Sequence, residues 1–299
     1  MNFIALRNVF YSISGALVLA SLVMLFLWGL PLGIDFTGGS LMELEFTASV
    51  SSQQTVRDQL TAFQLGEVQI QQTGERGMIL RMRDIDEETH QQILGVLRGT
   101  DSELIEKRFV SIGPTVGGEL KQKAVWALVL VLVMIIIYIA AAFRHVSYPI
   151  SSWKYGVVAI IALIHDVAIP TGLFVYLGEF RGVEINALFI SALLTILGFS
   201  VHDTIVVFDR VRENLRKRAG ADFEETVNIS IHETVTRSIN TSLTLLLVLL
   251  TLFFFGGDST KYFSLALIVG TVVGVYSSIF IASPLLVTWQ KWSSKGNQR

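Results

Sequence analysis

Residues Val125–Phe143 read VWALVLVLVMIIIYIAAAF, nineteen consecutive residues without a charge. A bilayer core about 30 Å thick needs about 20 apolar residues of helix to cross it. No amphipathic helix or half-buried strand carries so unbroken an apolar run, so this stretch reads as a membrane span. Five others like it lie on either side: Val9–Leu30, Gly156–Leu177, Ile185–Phe208, Ile239–Phe255 and Phe263–Trp289. The first follows Arg7 as a signal peptide would, but its apolar run exceeds the 7–15 residues of a signal core, and no small-residue cleavage site ends it. It is therefore counted as a span. The whole chain is 52% apolar and 16% charged, where soluble proteins carry about 25% charge.

Orientation follows from lysine and arginine in short loops. With the N-terminus inside, twelve such residues fall on the inner side, six of them in the loop and helix ends between spans four and five, from Arg210 to Arg237. The two short outer loops hold only Arg181 and Lys261. Both termini are expected in the cytoplasm. The expected division is residues 1–32 for the N-terminus and first span, 33–121 for a domain outside the membrane, and 122–299 for five further spans, with a cytoplasmic loop at 209–237. Within that loop, Asp209–Arg218 and Asp222–Arg237 read as two amphipathic surface helices broken by Gly220. Their charges serve to anchor and solubilise, or to dock a cytoplasmic partner.

The 33–121 segment alternates between patterns. Gly39–Phe46 puts Met42, Leu44 and Phe46 on one face and Glu43 and Glu45 on the other, as a half-buried strand does. Ser52–Leu65 spaces Val56, Leu60 and Phe63 as a helix after a serine cap. Val68–Gln72 and Met78–Met82 flank Gly74-Glu75-Arg76-Gly77, a hairpin signal. Asp86–Leu97 is a second helix and Glu103–Ile112 a last strand. The order βαββαβ is that of a ferredoxin-like split βαβ fold, which says nothing of activity by itself. His90 is read as a solvated side chain on an exposed helix. The fold class is an α-helical integral membrane protein: six spans plus a small α+β domain.

Polar residues inside spans are the candidate functional groups, because a charge at bilayer depth costs at least about 2.5–3.5 kcal/mol. Span three carries His165-Asp166; span four carries Ser200, His202, Asp203 and Thr204, with Ser200, Asp203 and Thr204 on one helical face. Arg237 stands at the cytoplasmic mouth of span five. An apolar setting favours a neutral carboxyl and a nearby arginine a charged one, so Asp203 close to Arg237 is a candidate switchable proton site. Two other readings stay open: both aspartates fasten the bundle through hydroxyls and backbone, and Arg237 snorkels as an anchor. Two His-Asp pairs are also metal-ligand types, but neither has helix-face ligand spacing, and no third carboxylate cluster accompanies them. No metal or cofactor is expected. With no cysteine, thiol catalysis is excluded, and with a net charge of −2 and no basic stripe, nucleic acid is not an expected partner. In span six, Ala266, Gly270, Gly274, Ser278 and Ala282 recur every four residues, a seam for close helix packing. Whether its partner helix belongs to this chain or another stays open.

Three segments together resemble the SecF family, the smaller membrane subunit of the bacterial SecD–SecF protein-export complex. They are Gly33–Gly39 (GIDFTGG), Gly113–Leu120 (GPTVGGEL) and Gly198–Asn214 (GFSVHDTIVVFDRVREN). The last is long and specific; the first two are partly shared with SecD. With the six-span layout, the resemblance covers essentially the whole chain. SecD–SecF is in turn similar in build to resistance-nodulation-division transporters. The resemblance implies a non-enzymatic auxiliary subunit in the bacterial inner membrane, with 33–121 periplasmic, that couples the proton-motive force to late steps of export. It implies SecD, the SecYEG channel, unfolded preproteins and membrane lipid as partners, with YajC a further candidate. It assigns proton coupling to Asp203 and Arg237, with Asp166 and His202 beside them; asparagine also occurs in the family where His202 stands. It casts Gly33, Gly38 and Gly39, and Gly117 and Gly118, as tight turns that hinge the external domain on spans one and two. The alternatives are half of a small-molecule or lipid exporter of the same superfamily, which usually carries larger external domains, and a membrane-embedded hydrolase, for which no nucleophile-and-base signature is present. A further expectation is that the Ala266–Ala282 seam meets SecD.

Overall fold

The computed structural model describes residues 3–47, 53–74, 76–99, 103–143, 151–217 and 220–296. Ser52, Glu75 and Arg218, used in the reading above, lie outside them. The chain forms α1 (Arg7–Trp28), α2 (Ile34–Thr37), β1 (Gly39–Glu45), α3 (Gln53–Leu60), β2 (Gln69–Thr73), β3 (Gly77–Met82), α4 (Glu87–Arg98), β4 (Ile105–Ile112), α5 (Pro114–Ala142), α6 (Ser152–Arg181), α7 (Ala187–Lys217), α8 (Phe223–Phe255), α9 (Asp258–Ser277) and α10 (Ser283–Gly296). Among the described residues, six helical stretches are long and apolar enough to cross a membrane: α1, α5, α6, α7, α8 and the run Thr260–Ser293. A single turn of wider helix, Ser278–Ala282, joins α9 to α10. There the Ser283 hydroxyl donates to the Ser278 carbonyl, five residues back, at 2.8 Å. Such turns sit often at functional sites.

The two compact units are a helical one and an external α+β one. In the external unit all four strands pair antiparallel in the order β2-β3-β1-β4. That is the order a split βαβ fold requires. Met42, Leu44, Met78, Leu80 and Met82 turn one sheet face towards Val56 and Leu60 of α3 and Ile93, Leu94 and Leu97 of α4. Asp86 caps α4, accepting from the Thr89 N–H at 2.9 Å.

Three expectations need correction. His90 is not solvated: it is 4% exposed and stacks on Phe109 of β4, ring centroids 3.8 Å apart. Its Nδ1 lies 3.0 Å from Glu87 Oε2 and its Nε2 2.7 Å from Glu106 Oε1. Two carboxylates thus satisfy both ring nitrogens, which makes burial of a polar ring tolerable. The charged segments on either side of Gly220 are not separate surface helices but continuations of α7 and α8. Val211, Phe223, Val227 and Ile231 belong to the helical unit's core, and Asn214 donates to Ser230 and Glu233 at 3.0 and 2.7 Å. Gly117 and Gly118 lie inside α5, in its first turns, not in a tight turn. Proline is favoured at the first position of a helix, and Pro114 starts this one. Gly117 is instead a close-approach residue, where an added Cβ would sit 2.7 Å from the Gly38 nitrogen. Gly38 and Gly39 do hold positive φ, +74° and +123°.

In the helical unit α6, α7 and α9 are the most enclosed, while α1, α5 and α8 expose large apolar side chains such as Phe26, Ile137 and Phe254. Phe143, Tyr155 and Phe208 pack ring against ring, centroids 5.2–6.1 Å apart. This arrangement, with large apolar side chains outward and Ser200, Thr204, Ser277 and Ser278 buried, is that of a multi-pass membrane protein.

Candidate functional site

Serine, threonine and aspartate are buried where α6, α7 and α9 meet, because each helix turns one polar stripe away from lipid. Asp166 of α6 has no exposed surface. One of its carboxylate oxygens lies 2.8 Å from His165 Nδ1. The other accepts from the Ser200 hydroxyl of α7 and, at 2.7 Å, from the Ser277 hydroxyl of α9. Four residues further along α7, Thr204 Oγ1 and Ser278 Oγ are 3.0 Å apart. Ser277 went unnoticed in the sequence, being a common residue in an apolar run. Among the described residues, His165 Nε2 has no hydrogen-bond partner and is buried.

Asp203, one turn beyond Ser200, is in a different position. Its carboxylate lies 3.8 Å from His202 Nδ1, its one ion-pair contact among the described residues, and the His202 side chain is 64% exposed. Asp203 lines a cavity of about 270 Å³ together with His202, Ser200, Thr241, Ser242 and Thr271. A cavity of that size with several hydroxyls on its wall has room for water. Arg237 of α8 is exposed and, among the described residues, makes no ion pair within 4.0 Å. The expected Asp203–Arg237 pair is therefore not formed in this state. Asp203 and Asp166 are brought together through Ser200, which bonds to one and lines the cavity of the other.

The small-residue seam of span six faces this chain's own α7. A Cβ added at Gly270 would run into Ile196, and one at Gly274 would lie 3.2 Å from Ser200 Cβ. The expectation that the seam meets SecD is thus corrected; its partner helix is internal. Gly274→Leu is expected to displace Ser200 from Asp166 and destabilise the bundle by about 1–3 kcal/mol. Thermal unfolding of the purified chain would read this. An unchanged melting temperature with lost binding of a partner subunit would return the seam to the outside.

A second set of polar contacts, within the external unit, gathers around the link between α6 and α7. Arg81 Nε of β3 meets Glu184 Oε1 at 2.6 Å, and the Asp35 carboxylate accepts from the Ala187 N–H at 2.7 Å. Burial holds the Glu184 carboxyl above its ordinary range; Arg81 opposes that and Asp35 adds to it. Among the described residues no group of histidine and carboxylate side chains is arranged to hold a metal ion.

Residues 92–292 match the family model described as "Protein export membrane protein SecD/SecF, C-terminal", and residues 25–50 match that of the "SecD/SecF GG Motif". The chain is 45% identical to the protein translocase subunit SecF of Thermobaculum terrenum, covering 95% of this chain and 92% of that one. It is 38% identical to the subunit of the same name from Anaerolinea thermophila, covering 99% and 98%. The crystal structure of SecDF from Thermus thermophilus, a translocon-associated membrane protein, superposes with a TM-score of 0.83 at 35% identity. That match covers 97% of this chain and 39% of the SecDF chain, so the chain spans about two fifths of that solved protein.

Proposed function

The chain belongs to the SecD/SecF family of protein-export membrane proteins, with SecF subunits as its full-length relatives, and from that premise we propose that it is the SecF subunit of the Sec translocase. In this reading it joins SecD in the bacterial inner membrane, and the pair uses the proton-motive force to advance preproteins leaving SecYEG; YajC is a further candidate partner. The observation that carries the proton-coupling part is the contrast between the two membrane aspartates. Asp166 has every oxygen engaged. Asp203 stands on a cavity wall and, among the described residues, has one ion-pair contact, to His202 at 3.8 Å. A carboxylate with few fixed partners is free to change protonation without breaking the bundle; a fully bonded one is not. Asp203 is therefore the group that loads and releases the proton, and Arg237 its partner in a second state in which α7 and α8 have shifted. His202 is placed to hand protons to it. Asp166 joins the site through Ser200.

Partnership with SecD is supported by the surface of α8. Arg237, Asn240, Thr241 and Thr244 are exposed on one stretch of a spanning helix, as His202 is on α7. Polar groups at that depth are costly in hydrocarbon, so another protein covers them. The cytoplasmic excess of lysine and arginine supports inward termini and a periplasmic external domain. One experiment tests the whole reading. Membrane vesicles containing this chain with a SecD chain are expected to export a preprotein faster when a proton-motive force is imposed. A protonophore is expected to remove the gain. Stimulation that survives the protonophore, or a chain that purifies without SecD, contradicts it.

A further inference from the structure

The external unit comprises Leu32–Trp126 and also Glu184–Ala187, the short link that leads into α7. Three elements of the unit hold that link. The Gly33 N–H donates to the Ile185 carbonyl at 2.9 Å, next to a parallel bridge between Leu32 and Ile185. Arg81 of β3 pairs with Glu184 at 2.6 Å, the two side chains 14% and 24% exposed. Asp35 of α2 accepts from the N–H of Ala187, the first residue of α7, across 152 positions of sequence. The first N–H groups of a helix have no acceptor within it, and a carboxylate there is favoured by the helix dipole. In α7 that acceptor comes from the external unit.

We propose that Asp35 and the Arg81–Glu184 pair are positioning residues that transmit movement of α7 to the external domain. The proposal rests on the reading above, in which protonation of Asp203 moves α7. Helix α7 has no proline, and sixteen residues separate Ala187 from Asp203. At 1.5 Å per residue that is about 24 Å of continuous helix. A shift at Asp203 therefore arrives at Ala187. There it pulls on Asp35 beside the strand β1 and, through Glu184, on Arg81 in the middle of the sheet. Arg81 is braced from its far side by Gln71 of β2, which accepts from Nη1 at 2.9 Å. The pull is thus delivered to β3 and β2 together and not to a loose side chain. Glu184 also explains Gly33: a Cβ there would stand 3.0 Å from Glu184 Oε2 and 3.4 Å from the Ile185 carbonyl.

The test uses the complex with SecD. Proton entry into proteoliposomes is followed with a trapped pH-sensitive dye, and preprotein export is followed in vesicles with an imposed proton-motive force. Arg81→Glu and Asp35→Ala are each expected to cut the proton-motive stimulation of export about tenfold while proton entry continues. The exchanged pair Arg81→Glu with Glu184→Arg is expected to restore stimulation, which a general loss of folding would not allow. Arg81→Gln, with the melting temperature of the complex as a check, serves if Arg81→Glu fails to fold. Asp203→Asn is run beside them. If it abolishes stimulation while Arg81→Glu, Arg81→Gln and Asp35→Ala all leave it intact, the transmission proposal is wrong and the proton reading stands. Full stimulation in Asp203→Asn overturns both.

Discussion

A chain carrying Asp203→Asn is expected to fold, assemble with SecD, and export no faster with a proton-motive force than without one. Asparagine keeps the shape of the side chain and removes the proton exchange. Little stability is at stake, because the carboxylate's nearest partner, His202 Nδ1, is 3.8 Å away and its side chain is mostly exposed. Each proton moved down 100 mV makes about 2.3 kcal/mol available to bias a conformational change. With Asp203 gone that bias has no point of application. Pulse-labelled export in energised cells and again with a protonophore gives the comparison. The variant is expected to match the wild type plus protonophore in both. Normal export by Asp203→Asn in fully energised cells would make Asp203 structural and move the coupling site to Asp166.

Asp166→Ala is expected to fail differently, by loosening the bundle. The carboxylate is wholly buried and holds Ser200 and Ser277, on two other helices, and His165. Removing it takes the acceptor from the Ser200 hydroxyl and the carboxylate from His165 Nδ1, while Ser277 keeps only the Gly274 carbonyl at 3.0 Å. Each buried group left without its partner costs about 1–3 kcal/mol. A marked fall in the melting temperature of the purified protein is expected, with Asp203→Asn unchanged in the same assay. Asp166→Asn, which keeps one acceptor oxygen, is expected to lie between. An Asp166→Ala protein as stable as the wild type but dead in export would reverse the roles given to the two aspartates.

Much of this architecture was legible in the sequence because membrane spans leave few choices. A run such as Val125–Phe143 has to be helical, since only a helix satisfies its backbone within hydrocarbon. What the apolar runs marked was the bilayer and not the helix. Helix α7 continues past Phe208 to Lys217, and α8 starts at Phe223, sixteen residues before the apolar run. No breaker separates these parts, and the change from apolar to charged residues was mistaken for a change of element. The βαββαβ order was legible from alternation, as was its sheet. His90 was missed although Ile93, Leu94 and Leu97 follow it at helical spacing, on the face that packs inward; its polarity outweighed its position. The helical start at Pro114 should have moved Gly117 and Gly118 out of a turn.

The candidate site divides in the same way. That Asp166, Ser200, His202 and Asp203 matter was legible from their rarity inside spans. Which aspartate is tied down was not, because it depends on Ser277, 111 positions from Asp166 and indistinguishable in the sequence from any other serine. The partner of the glycine seam was equally hidden: spacing tells that Gly270 and Gly274 let a helix approach, not that the helix is α7. The link between Asp35 and Ala187 joins residues too far apart for any local pattern to reveal.

The central claim is that a proton passes by way of Asp203, and proton movement itself tests it most directly. The complex of this chain with SecD, reconstituted into liposomes holding a pH-sensitive dye, would be given an acid pulse outside. The wild-type complex is expected to acidify the lumen, and the Asp203→Asn complex to match liposomes without protein. Acidification by Asp203→Asn at the wild-type rate would contradict the account.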